Sequence, residues 1–117
     1  MPQIHPSAVV DPGARLADDV EVGPHAFIDA DVTIGPGCRI LHGAHIGRWT
    51  RLGANNILYP GAVVGHDPQD VGYKGEEAWT EIGDGNIIRE GVTIHRGNRP
   101  GTVTRVGDHN FFMVNSH

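Results

Sequence analysis

Two stretches of this 117-residue chain concentrate side chains that can carry charge or exchange protons. The first, GHDPQDVGYKGEEAWTE from Gly65 to Glu81, is mainly acidic, and the second, HRGNRPGTVTR from His95 to Arg105, carries His95, Arg96, Arg99 and Arg105. Opposite charges so placed can pair across a gap or hold a ligand, and exposed pairs by themselves add little stability. Seven other histidines are His5, His25, His42, His45, His66, His109 and His117. Neutral imidazoles suit zinc, which needs three or four protein ligands. His42 and His45, in HGAH, form the only close pair, and no third ligand follows at a matching spacing. The reading for His42 and His45 is ordinary surface histidines, with no metal.

What positions the two charged stretches is a period of six. Counting from Ile4, the chain has an aliphatic residue at Val10, Leu16, Val22, Ile28, Ile34, Ile40, Ile46, Leu52, Leu58 and Val64 without a break. The count fails at Asp70 and Glu76, resumes at Ile82, Ile88 and Ile94, fails at Pro100, and returns at Val106 and Phe112. Helices repeat every 3.6 residues and strands every 2, so neither alone accounts for this spacing. The residue two before each aliphatic position is usually small, as at Ala8, Ala14, Ala26, Cys38, Ala44, Thr50 and Ala62. Alternation within a short strand puts both positions on one inner face. Gly23, Gly35, Gly47, Gly53, Gly65, Gly83 and Gly107 follow the aliphatic position, and a corner there would use glycine's tolerance of positive φ. Each hexapeptide is then a short strand and a corner, and three of them make one coil of a parallel β-helix.

The fold class expected is therefore all-β, a single β-helix domain over residues 1–117 of about five coils. Two loop excursions, 65–81 and 95–105, leave it from one corner on successive coils. Val20, Cys38, Asn56, Asn86 and Asn110 fall in one inward column, which predicts a ladder of stacked asparagine amides with Cys38 beneath as a core filler. The same arithmetic sets His117 one coil above the excursions, beside their corner, so that Asp70, His95 and His117 gather along one edge. Loops on a rigid scaffold are common places for binding residues.

Composition removes several alternatives. Seventeen Gly and eight Pro suit an array of turns rather than a helical bundle, and a single Cys leaves no disulfide framework. A net charge of -5 argues against general nucleic-acid affinity. No apolar run approaches the length of a membrane span. The start MPQIHPSAVV lacks the basic and apolar regions of a signal peptide, so the expected compartment is the cytoplasm.

The hexapeptide pattern resembles the hexapeptide-repeat acyltransferases. The segments PQDVGYKGE, EIGDGNIIREGVTIHRG and GDHNFFMVNSH, in this order, are similar to those of the acyl-carrier-protein:UDP-N-acetylglucosamine O-acyltransferase family of lipid A synthesis. The resemblance implies a left-handed coil, a homotrimer and no cofactor. The implied activity is transfer of a 3-hydroxyacyl group from acyl carrier protein to the 3-hydroxyl of UDP-N-acetylglucosamine. Gln69, Asp70 and His117 would then contact substrate, with Lys74, His95 and Arg96 as further candidates. A histidine with pKa near neutrality suits removal of the alcohol proton. In the family that base lies three residues beyond the histidine matching His117, so no catalytic base is expected within this chain. Upper coils and a C-terminal helical part are likewise expected beyond it. Gly72 stands where many members carry a lysine, with Lys74 two residues later. An acidic carrier would need a basic docking patch, for which Arg39, Arg48 and Arg51 are the candidates. Two alternatives are an inactive trimeric scaffold or sugar-nucleotide-binding paralogue, and a zinc-dependent, carbonic-anhydrase-like hexapeptide protein.

Overall fold

A computed structural model of the chain describes residues 2–66, 78–95 and 103–113. Among these residues sixteen strands form three parallel sheets, the faces of a triangular coil. The first face stacks β1 (Gln3–Ile4), β4 (Glu21–Val22), β7 (Arg39–Ile40), β10 (Ile57–Leu58), β13 (Ile87–Ile88) and β16 (Phe111–Phe112). The second stacks β2 (Val9–Val10), β5 (Phe27–Ile28), β8 (His45–Ile46), β11 (Val63–His66) and β14 (Thr93–His95). The third stacks β3 (Arg15–Leu16), β6 (Val32–Ile34), β9 (Thr50–Leu52), β12 (Trp79–Ile82) and β15 (Val103–Val106). Every third strand pairs in parallel, so each coil satisfies the backbone of the next. The sixfold aliphatic positions point inward and make the core: Ile28, Ile40, Ile46, Leu58, Val64 and Ile88 are fully buried. Burial fades at the lowest coil, where Ile4 is 43% exposed.

The corners differ from the expectation in one respect. Of the glycines that directly follow the aliphatic position, only Gly65 has positive φ. At every other corner with positive φ it is the third residue that adopts it: His25, Asp31, Gly37, Gly43, Trp49, Asn55, Gly61, Gly85, Gly91 and His109. The cause is turn geometry. In Tyr59-Pro60-Gly61-Ala62 the Ala62 N–H donates to Tyr59 O at 3.0 Å, which makes Gly61 the residue of the turn that must be left-handed. Gly35, Gly53 and Gly83 serve a different need, close approach of coils. A Cβ on Gly53 would lie 2.9 Å from Gly83 O in the coil above.

Val20, Cys38, Asn56 and Asn86 of the inward column are fully buried, as expected, while Asn110 at its top is exposed, and the amides bond to backbone rather than to one another. Asn56 Nδ2 donates to Gly83 O at 2.7 Å, and Asn56 Oδ1 accepts from Asn86 N–H at 2.8 Å. Asn86 repeats this one coil higher with Gly107 O and Asn110 N–H, each at 2.8 Å. Each amide therefore bridges the two backbone groups that flank the corner above it. Cys38 makes the donor half of the same bridge, its thiol giving its hydrogen to Gly53 O at 3.0 Å. Burial pushes the thiol pKa up, against the lowering effect of the Asn56 backbone, so the group stays a neutral donor.

Candidate functional site at the excursion corner

The corner between the second and third faces is closed tightly in the lower coils and opened in the upper ones. In the coil of Gly47 to Thr50 it is a short turn, sealed by Thr50 Oγ1 donating to Gly47 O at 2.7 Å. One coil higher, β11 runs on through His66, the chain returns at β12, and on the next coil it leaves after β14 and returns at β15. Both excursions thus start and end at the same corner. Gly65, buried with φ 75°, begins the first of them, and a side chain there would strike Thr50 Oγ1. The ladder slips at this glycine: Val64 pairs with Ile94, whereas His66 pairs with His95. A bulge of this kind re-aims a strand where pairing ends. His95 is half-buried at the end of β14. Gln69, Asp70, Lys74, Arg96 and His117 lie outside the described residues.

The expected pairing between the acidic and basic stretches occurs through Glu81. Its carboxylate accepts from Arg105 Nε at 3.0 Å in the coil above and lies 2.6 Å from Arg51 Nη1 in the coil below. These two guanidiniums, Arg105 first and Arg51 second, hold the Glu81 carboxyl below the usual carboxylate range. A carboxylate lowered on folding stabilises the protein above its unfolded pKa and loses that effect as the pH falls through the folded one.

The arginines proposed for carrier docking are each balanced by an acid. Arg39 pairs with Glu21 at 3.1 Å, Arg48 with Asp31 at 2.8 Å and Arg51 with Glu81. They therefore form no concentrated positive patch. The histidines of HGAH point to different surroundings: His42 is exposed in a corner, while the His45 ring lies 4.8 Å from the Phe27 ring on the second face. Among the described residues no three His, Cys, Asp or Glu are grouped so as to hold a metal ion. Nor is any helix there long and apolar enough to cross a membrane.

Sequence reasoning did not single out the two tryptophans. Trp49 and Trp79 stand at this corner on successive coils, Arg48 over the first at 4.7 Å and Arg51 over the second at 4.1 Å. The signal that could have found them is the outward counterpart of the inward period, since both lie three residues before a third-face aliphatic position.

The bacterial transferase hexapeptide repeat, six repeats long, matches residues 31–66. Curated relatives named acyl-[acyl-carrier-protein]–UDP-N-acetylglucosamine O-acyltransferase include one from Psychrobacter sp., 42% identical over 100% of this chain and 46% of its own length. Another, from Syntrophobacter fumaroxidans, is 47% identical over 98% of this chain and 45% of its own length. Among solved structures, LpxA from Acinetobacter baumannii superposes with a TM-score of 0.92 at 45% identity, over 96% of this chain and 44% of that one. The UDP-N-acetylglucosamine acyltransferase of Francisella novicida does so with a TM-score of 0.93 at 39% identity, over 97% and 42%. A coil wound the other way would not superpose at such scores, so the helix is left-handed like theirs. This chain spans less than half the length of the relatives it matches. It carries the bacterial transferase hexapeptide repeat and is similar along nearly its whole length to the UDP-N-acetylglucosamine acyltransferases.

Proposed function

We propose that this chain is the substrate-edge part of an enzyme moving a 3-hydroxyacyl group from acyl carrier protein to the 3-hydroxyl of UDP-N-acetylglucosamine, the first step of lipid A synthesis in the cytoplasm. The observation that carries the reading is similarity over the entire chain, excursions included, to relatives bearing that activity in their names. In the reaction the sugar hydroxyl oxygen bonds to the thioester carbonyl carbon, and the carbon–sulfur bond breaks. The hydroxyl proton goes to a general base and then to the departing thiolate. Gln69, Asp70 and His117 orient acceptor and acyl group at the excursion corner, with Lys74, His95 and Arg96 beside them. The base itself lies three residues beyond His117. The assembly is a homotrimer.

Calorimetric titration of UDP-N-acetylglucosamine into the chain tests this. Saturable binding, weakened about tenfold or more by Asp70→Asn and little changed by the exposed-face variant Glu21→Gln, is expected; tenfold corresponds to about 1.4 kcal/mol. Absence of any sugar-nucleotide affinity would defeat the reading in favour of an inactive scaffold.

A further inference from the structure

The inward residue that opens the third face stands two before an aliphatic position in every coil. From the lowest coil upward these residues are Ala14, Val32, Thr50, Thr80 and Thr104. The column is apolar in the two lowest coils and carries a hydroxyl in the three above them, the upper two of which the chain enters from the excursions. Thr50 spends its hydroxyl on its own turn, donating to Gly47 O at 2.7 Å. One coil higher the counterpart of Gly47 is Gly65, where the chain runs on along β11 through His66 instead of turning. The counterpart of Thr50 is Thr80, which is fully buried. Its N–H donates to Trp49 O at 2.9 Å, but its Oγ1 has no hydrogen-bond partner among the described residues.

Leaving a hydroxyl buried without a partner is costly. Packing does not demand this oxygen, because valine has the same shape and fills the same position two coils lower, at Val32. A ligand on the inner wall accounts for it, and the next coil supplies a second contact. Thr80 and Thr104 are ladder partners, so they lie about 4.8 Å apart. Two hydroxyls bond directly only at about 2.8 Å, too short a reach for this pair. One water making two bonds of that length spans the gap at an angle of about 120°, accepting from one hydroxyl and donating to the other. The surroundings select water over an ion. Two neutral hydroxyls cannot replace the hydration of a charge, and the inward neighbours along the strands are Ile82 and Val106. We propose that an ordered water is bound inside the third face at the excursion corner, held by Thr80 Oγ1 and Thr104 Oγ1. It does for the upper coils what the bond from Thr50 to Gly47 does below, and it does not depend on the acyl-transfer reading.

Urea denaturation of the full chain, of Thr80→Val, of Thr104→Val and of the double variant tests the site. Thr80→Val is expected to raise the unfolding equilibrium constant about fivefold or more. The double variant should add little to that, because both hydroxyls hold one molecule and their losses are not additive. A hydroxyl buried with no ligand gives the opposite sign: Thr80→Val then lowers the constant, and that result would overturn the site. Additive losses would overturn it too, since each hydroxyl would then have a partner of its own. A high-resolution crystal structure of the unsubstituted chain needs no variant to fold. Electron density for a water within about 3.0 Å of both oxygens is expected there, and a protein atom in that place would defeat the proposal.

Discussion

Asn56 shows how much one side chain can carry in a coil two residues per strand. Its amide takes both backbone groups at the corner above, Gly83 O and Asn86 N–H, in a place from which water is excluded. Removing the amide leaves two buried polar groups without partners, and each such loss costs roughly 1–3 kcal/mol. Asn56→Leu is therefore expected to lower unfolding stability by about 2–4 kcal/mol in urea denaturation. A loss below about 0.5 kcal/mol would show that the corner recloses into an ordinary turn and needs no amide. The column itself was legible in the sequence, because any inward position must recur with the coil. The partners of the amides were not. Stacked amides and amides bridging to backbone require the same residues at the same spacing, and only the position of Gly83 O relative to Asn56 separates them. Residues of the excursions posed the opposite difficulty. Gln69, Asp70 and Lys74 belong to no repeat, so the period brings their excursion to one corner but gives none of the three an environment, and their roles rest on resemblance.

At the scale of the element, the corner between the third and first faces is a column of glycines separated by one coil each. The Cβ of an alanine at position 53 would lie 2.9 Å from Gly83 O and 3.0 Å from its carbonyl carbon, and would strike Asp84 Oδ1. That carboxylate is itself occupied, accepting the Ala54 N–H at 2.7 Å, so the corner has little freedom to give way. At Gly107 the nearest neighbour of such a Cβ is Asn110 Nδ2 at 4.0 Å, an ordinary contact. Gly53→Ala is expected to cost about 1–3 kcal/mol through forced backbone shifts. Gly107→Ala should stay within about 0.5 kcal/mol. Thermal melts of the two variants decide it, and equal losses would mean that the demand is for backbone freedom, not space. The frequency of glycine after the aliphatic position is plain in the sequence, and positive φ is the demand it suggests first. Both demands select glycine at a corner, and a single hexapeptide cannot show which one operates. The coil above it supplies the answer.

At the scale of the molecule, the three outward faces are unequal. The third reads Arg15, Thr33, Arg51, Glu81, Arg105 up the coils, a charged ladder suited to water. The first changes character halfway: Gln3, Glu21 and Arg39 give way to Ile57, Ile87 and Phe111, the last 56% exposed. The second carries Val9, Phe27, His45 and Val63, with Val9 56% and Phe27 37% exposed. The apolar upper half of the first face and the apolar positions Val9, Phe27 and Val63 of the second, which also carries Thr93, thus flank a shared edge, while the third face is polar. If the first face of one subunit meets the second face of the next, the contact is heterologous, and heterologous contacts saturate only by closing a ring. The proposed trimer is the smallest such ring, and a contact of that kind uses the first two faces and not the charged ladder. Light scattering should accordingly give three times the 12.6 kDa chain mass. Phe111→Asp and Phe27→Asp, on different faces, should each dissociate it, because either one spoils every contact in a ring built from unlike faces. Arg51→Gln on the third face should not. A pair instead of a trimer would point to an isologous contact, in which a patch meets itself, and then Phe111→Asp or Phe27→Asp alone would be disruptive.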